Sequence, residues 1–257
     1  MNQQQIQTID DVISALEIII TESDKNNDPA GYFAALYQKV TIRIKEGISN
    51  DFFDNGLRME KLDVAFARRY LDAYHAYHKN KPVTESWQHA FDLSNDYWPI
   101  VLQHLLMGIN AHINLDLGIA SAEISQNEKI EDLKNDFNRI NEILSLLVHE
   151  VEGDLSAVWP VLKYILKWSG KIDDYLVDFS MKLARDGAWK FATQLVVIPE
   201  NEIEQAIAGR DQKIADVDHV ILKPGLFATL ALGIIRLTEL GSVSEKIQKL
   251  KYKGSFS

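Results

Sequence analysis

Cysteine is absent from all 257 residues. Disulfides, thiolate nucleophiles, iron–sulfur clusters and zinc–thiolate sites are thereby excluded. Basic residues are outnumbered: 27 Lys and Arg against 37 Asp and Glu give a formal charge of −10. Such a balance lacks the basic footprint that tracks a phosphate backbone, so nucleic acid is not expected as a partner. Long apolar runs are scarce. The longest, Leu226 to Leu240, is short for a membrane span and carries Arg236 and Glu239. It reads as a buried core helix or as a homo-oligomer contact. The opening MNQQQIQTIDD has no basic stretch leading into an apolar core, so no secretory signal is expected and a cytoplasmic location is. Familiar catalytic signatures are missing too. There is no Gly-x-Ser-x-Gly elbow, no Gly-x-x-x-x-Gly-Lys loop, no Gly-x-Gly-x-x-Gly, no His-Glu-x-x-His and no Glu-x-x-His pair.

What is present is helical punctuation. The chain is 46% hydrophobic and 25% charged, ordinary for a globular protein and long enough to bury a core without metal or disulfide. Thr8 with Asp11 forms a capping-box variant ahead of Ile9, Val12, Ile13, Leu16 and Ile20 at helical spacing. Asp28-Pro29 opens a second helix with Phe33, Leu36, Tyr37, Val40 and Ile44 on one face, and Gly47 is its expected stop. Residues 49–56 read as a loop, and a third helix is expected from Arg58 to His78. A short helix near Thr84–Leu93 precedes a long one from Trp98 to Ala120, and Asn127 to Glu152 forms another amphipathic stretch. Further helices are expected over Ser156–Trp168, Lys171–Val197, Glu200–Asp216, Leu226–Leu240 and Val243–Lys251. Alternating strand patterns are scarce. The expected fold is all-α, a bundle of about ten helices around a buried helix near 98–120. One domain over 1–257 is the simplest division, with 224–257 at most a helical appendage.

The segment Gln103–Ala120, QHLLMGINAHINLDLGIA, is apolar nearly all round, which belongs to a helix in the middle of a domain. It nevertheless carries His104, Asn110, His112, Asn114 and Asp116, each costly there without a hydrogen-bond, charge or metal partner. At about 100° per residue, His104, Gly108, His112 and Asp116 form one slowly drifting row. His112 and Asp116, four residues apart, can converge on one point, as two ligands of one ion must. His104 lies about 12 Å back along the axis, too far to share that ion directly. Gly108 leaves room for a neighbouring helix or a ligand. Arg69 projects from the apolar face Leu62, Phe66, Tyr70 of the third helix, and Asp136 points with Leu133, Phe137 and Ile140; both call for buried partners. His149 falls off its apolar stripe and ranks lower. Arg185 and Trp189, at i and i+4, suggest a guanidinium stacked on indole.

The run from Gln103 to Ala120 resembles the signature of a bacterial family of unknown function. The resemblance extends to Phe66–Leu71, Trp87 with Ala90-Phe91, Asp136-Phe137 with Ile140-Asn141, and Ala184-Arg185 with Ala188-Trp189, across about Tyr32 to Leu195. It implies no activity. The shorter run Leu106–Asp116 is similar to the metal-binding helix of all-α zinc-dependent phospholipase C and single-strand nucleases, in which His-x-x-x-Asp supplies ligands. That resemblance implies His112 and Asp116 as metal ligands. This chain departs from it in having Met at residue 1 instead of a Trp ligand, and no Glu four residues after any of its 7 histidines.

Two expectations follow. In the first, the protein is a metal-dependent phosphoester hydrolase: His112 and Asp116 hold zinc or manganese, Asp136 or His104 adds a ligand or general base, and Arg69 holds an anionic group of a small-molecule substrate. In the second, it is a non-enzymatic binding or interaction module whose polar row is a closed hydrogen-bond network, with Arg69 bonded to Asp116 and no cavity beside Gly108.

Overall fold

The computed structural model describes residues 6–126, 128–140, 142–144, 181–223 and 225–251. Among them the all-α expectation holds: helices and no strand. Among the described residues the principal helices are α1 (Ile9–Asn26), α2 (Ala30–Ser49), α3 (Gly56–His78), α4 (Glu85–Asp92), α5 (Val101–Ala111), α6 (Leu117–Ile124), α7 (Met181–Leu195), α8 (Glu200–Leu222), α9 (Leu226–Thr238) and α10 (Val243–Leu250). Residues 134–140 and 142–144 are helical as well.

The caps follow the sequence. Thr8 Oγ1 accepts from Asp11 N at 3.2 Å, and Asp11 Oδ2 accepts from Thr8 N at 3.0 Å, the reciprocal box that starts α1. Asp28 Oδ1 accepts from Ala30 N at 2.9 Å, and Pro29 enters α2 without an amide to leave unpaired. Asn55 Oδ1 accepts from Arg58 N at 3.0 Å and opens α3.

Several boundaries differ from expectation: α8 runs to Leu222 rather than Asp216, α6 carries the central helix on to Ile124 rather than Ala120, and three more have a local cause. Gly47 does not stop α2. A Cβ there would lie 2.9 Å from Phe53 Cε2, so this glycine admits the ring of the returning loop, and Asp51 (φ 53°) makes the left-handed turn instead. The central helix begins at Val101 rather than Trp98. Its first free amides are capped at Ile100 by Gln103 Oε1 (3.2 Å) and at Val101 by Glu239 Oε1 (3.0 Å), leaving Tyr97 and Trp98 exposed outside it. The stretch expected from Asn127 opens with a 3-10 turn, Ile130–Leu133. Leu147, His149 and Val151, with the helices expected at 156–168 and 171–180, lie outside the described residues.

The run α5–α6 is the axis of the structure. It packs against α2, α3, α4, α7 and α8, while α1 and α10 lean on α2 from outside. Leu105, Ala111, Leu115 and Ala120 are at most 1% exposed. Each leucine so enclosed contributes about 1.5–3 kcal/mol of apolar burial. One hydrophobic cluster joins residues from Ile9 in α1 to Leu250 in α10. No helix of the described residues is long and apolar enough to cross a membrane.

Candidate functional site

Between α5 and α6 the axis widens into a single π-helical turn, His112–Asp116, which simple 3.6-residue periodicity does not reveal. Such a turn disturbs the regular ladder of carbonyl acceptors. One of them, the Asn114 carbonyl, accepts from Arg210 Nε of α8 at 3.1 Å.

Asp116, 1% exposed, lies at the end of this turn. Its Oδ1 accepts from Arg69 Nε of α3 at 3.1 Å. Its Oδ2 accepts from Trp87 Nε1 of α4 at 2.8 Å and from His112 Nδ1 at 3.1 Å. Three donors from three helical segments thus meet one carboxylate. Burial lowers the His112 pKa, with the Asp116 hydrogen bond working the other way. The neutral ring therefore carries its proton on Nδ1, facing Asp116, and Nε2 is left with a lone pair. That Nε2 is buried and has no hydrogen-bond partner among the described residues. Around it stands an aromatic cage: Phe66 stacked at 3.6 Å and 7°, Tyr37 edge-on at 4.5 Å, and Phe33 and Trp87 each at 5.8 Å between ring centroids.

The five residues singled out from sequence thus separate. Arg69, His112 and Asp116 come together. His104 does not join them: it is 7% exposed, edge-on to Tyr32 at 5.5 Å, and held by burial at a pKa of about 3. It lines a narrow cleft of about 20 Å³ with Phe33, Tyr70, Trp87, Ser94 and Gly108, room for about one water. The space beside Gly108 is taken by Phe33, whose Cδ2 would lie 2.4 Å from a Cβ at that position. Asp136 works elsewhere. Fully buried, it accepts from Asp54 N at 2.6 Å, Asn55 N at 3.2 Å and Arg58 Nη2 at 2.9 Å, fastening the start of α3. Among the described residues no three His, Cys, Asp or Glu side chains are grouped so that they could hold one ion.

Sequence reasoning missed several partners. Trp87, which the sequence marks only as part of a motif, supplies the shortest bond to Asp116. Asp211 of α8 caps α4, accepting from Glu85 N and Ser86 Oγ at 2.6 Å each and from Ser86 N at 3.1 Å. Asp218 of α8 accepts from Asn110 Nδ2 at 2.9 Å and faces His89 Nδ1 at 2.9 Å. Both acids fall in register with Ile214 and Ile221, the same polar-on-apolar-face signal that marked Asp136. The pairing expected between Arg185 and Trp189 is replaced: Arg185 lies over the Phe137 ring at 4.4 Å, and Lys134 covers Trp189 at 4.2 Å. Arg185 turns inward because its carbonyl acceptor, Phe137, is in the core.

These features define a class, an all-α bundle pinned through buried aspartates that each gather donors from distant helices. The chain belongs to a family of unknown function (DUF5995), whose model matches residues 9–224. No curated protein and no solved structure matches it.

Proposed function

We propose that this protein is a non-catalytic interaction module that associates with a second copy of itself through the outer face of α9, while the polar row on the central helix is scaffolding. The observation that carries the reading is the uncovered apolar stripe Leu226, Leu230, Ile234, Leu237 and Leu240, each 56–74% exposed. Ile235, on the opposite side, is 2% exposed, so the same helix is apolar both inward and outward. Large exposed apolar stripes of this kind mark protein contacts. Self-pairing suits this one because the stripe bears no charge, and two chains of charge −10 need a neutral face on which to meet. Gly233, with nothing within 4 Å of where a Cβ would be, lets an opposing helix approach closely. A 13-residue helix is about 20 Å long and offers less area than a permanent interface, so the expected association is reversible. The saturation of Asp116 supports the scaffolding half of the reading.

Sedimentation velocity over a wide concentration range tests it. The wild type is expected to shift from monomer to dimer, and Leu230→Glu with Ile234→Glu to stay monomeric with an unchanged melting temperature. A wild type that stays monomeric throughout ends the self-association reading.

A second reading, the metal-dependent phosphoester hydrolase implied by the phospholipase C resemblance, has one observation in its favour. Asp116 orients His112 as a carboxylate orients a metal-bound imidazole, with the other ring nitrogen free. Against it, His112 and Asp116 face each other rather than a common point, and one imidazole is one ligand where catalytic zinc takes about three. The described residues do not fit a hydrolytic centre. Calorimetric titration of zinc and manganese into protein purified without nickel, followed by a phosphoester panel, decides between the readings.

A further inference from the structure

Asp63 of α3 has no ion-pair partner among the described residues. It is 2% exposed, and neither carboxyl oxygen has a hydrogen-bond partner among the described residues. Burial disfavours the ionised form and raises its pKa to about 8. Near neutral pH it is therefore a neutral acid, with one O–H to donate and one oxygen to accept. Arg185 of α7 is also 2% exposed. Its Nη2 donates to the Phe137 carbonyl, while its Nε–H has no partner among the described residues. Burial lowers its pKa to about 10, which leaves it charged at neutral pH. The two side chains line one cavity of about 30 Å³, whose remaining walls are apolar, among them Val40, Ile44, Met59 and Leu117.

We propose that this cavity is a binding site for a small monovalent anion, of the size of chloride or formate, held between Arg185 and Asp63. Three properties select that class. Arg185 brings a positive charge to the cavity: its chain neighbour Asp186 attracts it from the exposed side of α7, but among the described residues no carboxylate is in ion-pair contact with it, and a buried guanidinium so placed is costly. Asp63, in its neutral form, adds a second donor to the same cavity instead of repelling the ion. The volume admits about one or two water-sized groups, too little for sulfate or phosphate, and a dianion would leave one charge unbalanced among apolar walls.

Thermal melts at fixed pH and ionic strength test the proposal, with sodium gluconate (an anion too large for the cavity) replaced stepwise by sodium chloride or sodium formate. A saturable rise is expected in the wild type, about 3–6 °C at tenfold above the dissociation constant. Asp63→Asn keeps a donor and should retain the rise. Asp63→Leu removes the donor, fills the space and should abolish it. Arg185→Met should abolish it too. If that variant does not fold, the Asn and Leu variants at position 63 decide alone. Crystals soaked in bromide should show an anomalous peak between the two side chains. A wild type that melts identically in gluconate, chloride and formate, or a gain that persists in Asp63→Leu, shows a cavity holding water only and overturns the proposal.

Discussion

Trp87 donates its indole N–H to Asp116 across 2.8 Å, joining the short helix α4 to the π-helical turn of the central axis. Both residues are at most 2% exposed, so neither can turn to water when the other is lost. Removing one donor from a buried carboxylate costs about 1–3 kcal/mol. Trp87→Phe also loses indole area, so it is expected to lower the melting temperature by several degrees, at about 2–4 °C per kcal/mol for a chain of this length. Asp116→Asn should do the same, and the double variant should cost less than the sum, with a coupling energy of about 1–2 kcal/mol. Urea melts of the four proteins measure it. Strict additivity would show that the bond contributes nothing.

Gly108 supplies a second prediction. A Cβ there would lie 2.4 Å from Phe33 Cδ2 and 2.5 Å from Phe33 Cγ. The ring is held on its far sides by Tyr70 at 5.1 Å and Trp87 at 5.6 Å, so it has little freedom to give way. Gly108→Ala is expected to destabilise by about 1–3 kcal/mol through overpacking, despite the better helix propensity of alanine. Phe33→Leu in the same chain should recover part of that loss, which equilibrium denaturation would reveal.

Stability should depend on pH in a defined way. Asp63 has a folded pKa of about 8 against 3.8 for an ordinary aspartate. Its contribution is complete below 3.8 and is lost as pH rises toward 8, because the unfolded chain gives up a proton the native state keeps. His104 runs the other way, about 3 against 6.5, and burial lowers His112 as well. Their contributions are present above 6.5 and fade as pH falls, since only the unfolded chain takes the proton. Between pH 6.5 and 8 the two histidine contributions are constant and that of Asp63 falls, so through Asp63 the wild type should lose stability at up to about 1.4 kcal/mol per pH unit. In Asp63→Asn that alkaline fall should vanish while the acid limb stays. A series of melts from pH 4 to 9 checks both limbs.

Much of this architecture is legible before any coordinates. Caps such as Thr8–Asp11 and Asp28-Pro29 act within one turn, so residue spacing alone reveals them. The excess of polar residues on an apolar helix marked His112 and Asp116 as partnered, and marked Arg69 as a partner. The π turn escaped because it alters the very periodicity on which the projection of His104, His112 and Asp116 into one row depends. Trp87, Asp211 and Asp218 escaped because their bonds span 29 to 129 residues of sequence, and no local pattern encodes which distant helix arrives. Asp63 escaped for another reason: it sits beside Leu62 in a helix read by its apolar stripe, and an acid one position off that stripe looks solvated. The tertiary fold closes over it.

Asp136 gives the last prediction, because scaffolding and catalysis assign it opposite behaviour. The structure surrounds it with the amides of Asp54 and Asn55 and with Arg58 Nη2, the donors left open where α3 begins. Asp136→Asn keeps the shape but loses the charge and turns one acceptor into a donor facing another donor. Hydrogen bonds to a charged group are worth about 1.5–3 kcal/mol, so this change should lower the melting temperature by about 3–12 °C. The loss should be local as well as global, with faster amide exchange in the first turn of α3 than in α5, since fraying begins where the cap has gone. Arg58→Met should be milder, because Arg58 is partly solvated, its side chain 15% exposed, and both backbone donors would remain on Asp136. Were Asp136 instead a general base, Asp136→Asn would leave the melt and the exchange pattern untouched. Paired melts and hydrogen exchange on the two variants therefore assign the residue without any knowledge of a substrate.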